Sequence, residues 1–137
     1  MISRTGIHAV KSLAVLAGLP NGEYLGATAI AEKINAPQNY LGKILRILAR
    51  EGLLISQKGK GGGVRLARDA GQISLYDVLE PIDQVSQWDG CFLGNGECSE
   101  NHACGAHAQW KPVRNHYLNF LRSTTIRDIE KNTVKLT

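Results

Sequence analysis

The chain has 137 residues, 43% of them apolar and 20% charged. That size and balance suit one compact domain with a modest core and exclude a disordered chain or a two-domain enzyme. No run approaches the roughly 18 apolar residues of a membrane span, and residues 1–12 carry polar and charged groups where a signal peptide needs an apolar run, so the expectation is a cytoplasmic protein.

The net charge of +4 is spread unevenly. Residues 1–70 hold ten Lys/Arg against four Asp/Glu, residues 71–107 hold six Asp/Glu and no Lys/Arg, and residues 108–137 hold six Lys/Arg against two Asp/Glu. A basic front and an acidic middle suggest a polyanion-binding part joined to a part with different work. All three cysteines lie in the acidic middle. An odd, clustered set in a cytosolic chain points to metal or redox chemistry rather than a disulfide framework.

In chain order, Ile7, Val10, Leu13, Ala14 and Ala17 recur at helical spacing, and Gly18, Pro20, Asn21 and Gly22 end that helix. A second, short helix runs over Ala27–Ile34, with Asn35 suited to the left-handed position after it and Pro37 to the first turn of the next. From Gln38 to Glu51 a broad stripe of Tyr40, Leu41, Ile44, Leu45, Ile47 and Leu48 faces a core, and Gly52 terminates it. Two helices separated by about three residues match helix-turn-helix spacing. Leu53–Gln57 and Val64–Ala67 then read as strands around a basic, glycine-rich tip from Lys58 to Gly63. The fold class is therefore mainly α with a small β-hairpin wing, a winged helix-turn-helix.

Ser74–Ile82 predicts a further helix, with Ser74 as cap and Asp77 three residues on. Residues 88–106 show no periodicity and contain four glycines and the three cysteines, so a loop is expected that needs something other than an apolar core to order it. His107–Arg122 is helical again through Trp110, Val113, Tyr117, Leu118 and Leu121, and Thr125 with Asp128 has capping-box spacing for a short turn through Ile129. The division expected is a DNA-binding part over 1–83, a cysteine loop over 84–106, and a long helix with a tail over 107–137.

Two constellations carry chemistry. The first is the polar side of the third helix, Gln38, Asn39, Lys43 and Arg46 with Arg50, and Tyr40 at the start of the apolar stripe beside it, together with Lys58, Lys60 and Arg65 of the hairpin. Gln and Asn pair with adenine edges, Lys reaches guanine, and the hairpin cations meet phosphates of double-stranded DNA. The plainer alternative is a solvated helix face beside an ordinary glycine turn. Gly42 is unusual inside a helix and admits either a close approach of DNA or simple tolerance.

The second constellation is Cys91, Cys98, Cys104 and His107, spaced Cys-x6-Cys-x5-Cys-x2-His. Three thiolates and an imidazole complete four ligands for zinc or for an iron-sulfur cluster. A tight Cys-x2-Cys knuckle is absent, and the glycine-rich spread suits a cluster better. Asp89, Glu97 and Glu100 disfavour thiolates unless a cation offsets them. His102 competes for the fourth position, while His8 and His116 sit on helices, and unliganded cysteines in a loop are the plainer reading.

The segments Ser3-Arg-Thr-Gly-Ile-His-Ala-Val, Tyr40-Leu-Gly-Lys-Ile-Leu, Lys58-Gly-Lys-Gly-Gly-Gly-Val and Ile73-Ser-Leu-Tyr-Asp-Val, with the cysteine loop, resemble the bacterial winged-helix iron-sulfur regulators that include IscR, NsrR and RirA. The resemblance reaches nearly the whole chain, to about Ile129. It implies a homodimer joined by the long C-terminal helices, and a 2Fe-2S or 4Fe-4S cluster sensing cluster supply, redox state, iron or nitric oxide. It further implies cluster ligation by Cys91, Cys98, Cys104 and His107. The first-helix position that is acidic in some members is Ile7 here, which cannot ligate and so favours His107. Gly42 and Lys58 depart from the acidic and Arg residues that members carry there, so a member's operator preference does not transfer. The alternatives are a DNA reader with a zinc or thiol-switch loop, and an electron-transfer or cluster-carrier protein. Catalysis finds no nucleotide loop, helical His-Glu pair or Ser/His/Asp set to support it.

Overall fold

Ser3 opens the first helix of the computed structural model, which describes residues 2–94, 96, 101 and 104–132. Its hydroxyl accepts from the Gly6 N–H at 2.9 Å and caps α1 (Arg4–Ala17). One face of α1 carries Ala9, Leu13 and Leu16 into the core, and Ser12 is buried without loss because its hydroxyl donates to the His8 carbonyl at 2.7 Å. α2 (Ala27–Ile34) ends at Asn35 in the left-handed conformation, φ 56°, as expected of that residue. α3 (Gln38–Arg50) follows, with Pro37 at its N-cap rather than inside its first turn, because the Pro37 carbonyl already accepts the first helical bond, from Leu41. Gly52, φ 80°, takes the chain out of α3.

Strands β1 (Leu54–Gln57) and β2 (Gly63–Leu66) form an antiparallel hairpin in the register Leu54 with Leu66 and Gln57 with Gly63. A contact invisible in the sequence ties this wing to the body: Leu25, between α1 and α2, exchanges both backbone hydrogen bonds with Val64, each 2.9 Å. α4 (Leu75–Asp83) begins with the expected capping box, Ser74 and Asp77 bonding each other's backbone N–H at 3.0 and 3.1 Å.

α5 (His107–Ser123) is followed by α6 (Ile126–Asn132), which extends past the short turn expected through Ile129. Thr125 and Asp128 cap it reciprocally at 2.9 and 3.2 Å, and the Ile126 N–H donates to the Ile73 carbonyl at 2.9 Å, returning the chain to α1 and α4. Leu13, Ile30, Ile34, Leu41, Ile44, Leu48, Ile73, Leu79, Leu121 and Ile126 form one core with α1 near its centre. Each such residue stabilises the fold by about 1.5–3 kcal/mol through burial.

On α5 the expected apolar face needs correction. Leu118 and Leu121 are buried, but Val113 is 55% exposed, and the position beside it is taken into the interior by Arg114 at 7%. The aligned positions along the helix are His107, Arg114, Leu118 and Leu121, so hydrophobicity alone misassigned the buried stripe.

Candidate nucleic-acid interface and cysteine loop

α3 divides cleanly. Leu41, Ile44, Leu45 and Leu48 are buried, while Gln38, Asn39, Lys43, Arg46 and Arg50 are exposed on the other side. This follows from the 3.6-residue period, since the polar residues fall between the apolar anchors. Two residues proposed for the DNA face also make contacts inside the fold. Gln38 Nε2 donates to Thr28 Oγ1 of α2, and Tyr40 is half-buried, its hydroxyl bonded to Thr5 Oγ1 and its ring edge-on to His8 with centroids 5.5 Å apart. Tyr40 thus fixes the start of α3 against α1. His8 is held below the ordinary histidine pKa, first by burial and then by Lys11 and Arg4. A Cβ added at Gly42 meets nothing within 4 Å, so no neighbour within the fold demands glycine there.

At the hairpin tip Lys58 and Lys60 are exposed, Lys60 between glycines with φ of 93° at Gly59 and 77° at Gly61. The tip stands two cations on a short, tightly turned backbone, an arrangement that meets phosphates without reading bases. Arg65 behaves differently from the two lysines. It is half-buried on β2, with its guanidinium carbon 5.0 Å from the Tyr24 ring centroid.

The cysteine loop is fastened to α5 at both described ends. At its start, the Trp110 indole donates to the Gly90 carbonyl at 3.0 Å, and Arg114 donates to the Asp89 carbonyl at 3.3 Å with its Nε 3.9 Å from the Asp89 carboxylate. Trp88 lies against Trp110 and Tyr117, and Phe92 against Trp110, with centroids 5.5–5.7 Å apart. Burial and the Asp83 charge raise the Tyr117 pKa. Cys91 follows directly, its N–H bonded to the Gly96 carbonyl at 2.9 Å. At the far end the His107 N–H donates to the Cys104 carbonyl at 3.1 Å, so these two candidate ligands stand within one turn at the head of α5, His107 buried and Cys104 half-buried.

Cys98 and His102, with Glu97 and Glu100, lie outside the described residues. Among the described residues no three His, Cys, Asp or Glu side chains are gathered at one point. The donor set suits a soft metal or cluster in kind, and the described part places Cys104 and His107 side by side without closing a site. His116 is exposed on α5. Trp88 and Trp110 anchor the loop to the body. The sequence analysis missed the Arg114 clamp. Its signal was the seven-residue spacing from His107, which places a cation on the buried stripe of the same helix.

A recognition helix with an outward polar face and a basic wing are the parts of a winged-helix, DNA-binding transcriptional regulator. Among the described residues no helix is long and apolar enough to cross a membrane. Residues 2–132 match the model of the Rrf2 family, described as iron-dependent transcriptional regulators, and the chain belongs to that family, one of regulators rather than enzymes. It is 34% identical to protein aau3 of Rhizobium meliloti over 90% of this chain and 80% of that one. It is 31% identical to the transcriptional regulator IscR of Cronobacter sakazakii over 75% of this chain, the match spanning 63% of IscR. The fold resembles that of CymR, the global cysteine regulator of B. subtilis, with a TM-score of 0.80 and 22% identity over 97% of this chain and 98% of that one.

Proposed function

We propose that this regulator controls transcription through an iron-sulfur cluster, 2Fe-2S or 4Fe-4S, held by Cys91, Cys98, Cys104 and His107, and that it acts as a homodimer on double-stranded promoter DNA. The observation that carries the reading is the fastening of the cysteine segment to α5 on both sides, by Trp110 and Arg114 before Cys91 and by the Cys104–His107 turn after it. A bound cluster supplies redox and ligand-exchange chemistry that responds to oxidant, iron supply or nitric oxide. The protein's own part is to couple the loop to α5: Trp110 and Arg114 hold the Gly90 and Asp89 carbonyls against that helix, so a change in how Cys91 is held would be passed to α5.

Supporting the dimer, Val113 and Phe120 stand seven residues apart on α5 and are 55% and 51% exposed, an uncovered apolar edge on the helix that the family resemblance assigns to dimerisation. Gln38, Asn39, Tyr40, Lys43 and Arg46 read or border the major groove, and Lys58 and Lys60 supply the positive charge of the wing tip, while Arg65, grouped with them by sequence, lies over Tyr24 nearer the hairpin base. The division into a DNA-binding part over 1–83, a cluster loop over 84–106 and a dimer helix with tail over 107–137 follows the same reading.

The test is a visible spectrum with iron, sulfide and zinc analysis on protein purified without oxygen, followed by promoter binding with and without the cluster. Brown protein containing iron and acid-labile sulfide, with DNA affinity that changes on cluster loss, is expected. Colourless protein with about one zinc per chain refutes the cluster and leaves a DNA reader with a zinc or thiol-switch loop. His107→Ala and His102→Ala separate the candidate fourth ligands, and an unchanged spectrum on loss of His107 overturns its assignment.

A further inference from the structure

At the base of the hairpin, away from the lysine tip, a cleft of about 430 Å³ opens between the C-terminal end of α1, the segment leading to α2, the end of β2 and α6. Arginines from two segments line it: Arg65 of β2 and Arg68 just beyond it, and Arg127 of α6. Leu16, Leu19 and Leu66 supply apolar wall.

The charges here are incompletely matched. Arg127 is loosely shared among Asp69 at 3.5 Å, Glu130 at 3.4 Å and the Ala17 carbonyl at 3.4 Å. Arg68 is exposed and pairs with no carboxylate among the described residues. Arg65 has its guanidinium over the Tyr24 ring, while its Nε–H is buried with no hydrogen-bond acceptor among the described residues. A buried donor without an acceptor is rare in folded proteins. Glu23 and Asp69 also line the cleft, so with three arginines it is a mixed site with one positive charge in excess rather than a bare positive patch. A Cβ placed on Gly22, φ 84°, would lie in ordinary contact with Arg65 Nη1 at 3.9 Å, so Gly22 borders the guanidinium in the cleft.

We propose that this cleft binds a small oxyanion, a carboxylate or a phosphate, between Arg65 and Arg68. Planar guanidinium donors pair with such groups through two parallel hydrogen bonds, which a lysine cannot offer. The register favours a small ligand over a DNA phosphate, because Arg65 pairs with Ile55 in mid-hairpin and Arg68 lies past the Leu54–Leu66 end, opposite the Lys58–Lys60 tip. Arg65 also adjoins Val64, which makes both hydrogen bonds to Leu25, so the ligand braces the attachment of the wing to the body.

The experiment titrates inorganic phosphate and citrate into the full chain at constant ionic strength, with chloride as reference, and follows backbone amide resonances. Saturable shifts over residues 18–25 and 64–70 are expected with phosphate or citrate and absent with chloride, the stronger of the two marking the ligand's chemistry. Arg65→Gln and Arg68→Gln should each weaken the response roughly tenfold, the effect of losing one charge-assisted hydrogen bond. Arg68 is exposed, so its variant folds even if the Arg65 variant does not. The proposal is overturned by shifts that fail to saturate, that centre on Lys58 and Lys60, or that persist unchanged in Arg68→Gln.

Discussion

Gly63 offers a sharp test of how the wing is held. Its φ is 136°, and a Cβ placed there would lie 2.3 Å from the Leu25 carbonyl oxygen and 2.4 Å from its carbon, atoms of another backbone that no rotamer change can move. Gly63→Ala therefore forces the Leu25 strand away from Val64. Holding alanine in that conformation costs about 1–3 kcal/mol, and losing the two Leu25–Val64 hydrogen bonds costs about 0.5–1.5 kcal/mol each, so the loss is about 2–6 kcal/mol. Gly61→Ala is the control. Gly61 also has positive φ, 77°, but an added Cβ meets nothing within 4 Å, leaving only a backbone cost of about 1–2 kcal/mol.

Urea unfolding measures both variants. With a slope of roughly 1–3 kcal/mol per molar urea for a chain of this size, the midpoint of Gly63→Ala should fall well below that of Gly61→Ala at an unchanged slope. Equal midpoints would refute the claim that the Leu25 bridge holds the wing to the body.

Lys58→Ala with Lys60→Ala should weaken binding to all DNA sequences alike and reduce the slope of log K against log salt by about 2, measured by fluorescence anisotropy over a salt series. Ser74→Ala removes one half of the α4 capping box and should cost about 1 kcal/mol in thermal or urea unfolding. His8 titrates below its ordinary value when folded, so the unfolded chain binds its proton more readily. The stability from neutral His8 is complete above about pH 6.5 and lost as pH falls through the lowered folded value. His8→Gln should flatten that acid-side decline in melting temperature, and an equally steep decline in the variant would exclude His8 as its source. Asp128 is lowered by its bonds to the Thr125 backbone and hydroxyl, so Asp128→Asn should remove a contribution that is present above about pH 4 and lost below it.

Short-range patterns made much of the molecule legible. Asn35, Gly52, Ser74 with Asp77, and Thr125 with Asp128 act within a few residues of themselves, so the helix ends they define could be read before any tertiary contact was known. The split of α3 into Leu41, Ile44, Leu45 and Leu48 against Gln38, Asn39, Lys43 and Arg46 was equally local, because the helical period alone separates the faces. The cysteine spacing proposes Cys91, Cys98, Cys104 and His107 as a donor set from residue type alone, and of these the structure describes Cys91, Cys104 and His107.

Tertiary structure decided which of these residues are occupied elsewhere. Tyr40 reads as a DNA-facing aromatic until Thr5 and His8 arrive from α1, some thirty residues away, and Arg65 reads as a partner of the lysines at the wing tip until Tyr24 holds its guanidinium beside the cleft at the base of the hairpin. Arg114 reads as a surface cation until the Asp89 carbonyl is brought to it across the loop. In each case the partner lies far along the chain, and only the packing of α1, the hairpin and α5 around one core sets the distance between them. Composition and period determined which faces would be apolar, polar or basic, whereas the close approach of remote backbones, as at Gly63 and Leu25, depends on the relative placement of whole elements that no local pattern encodes.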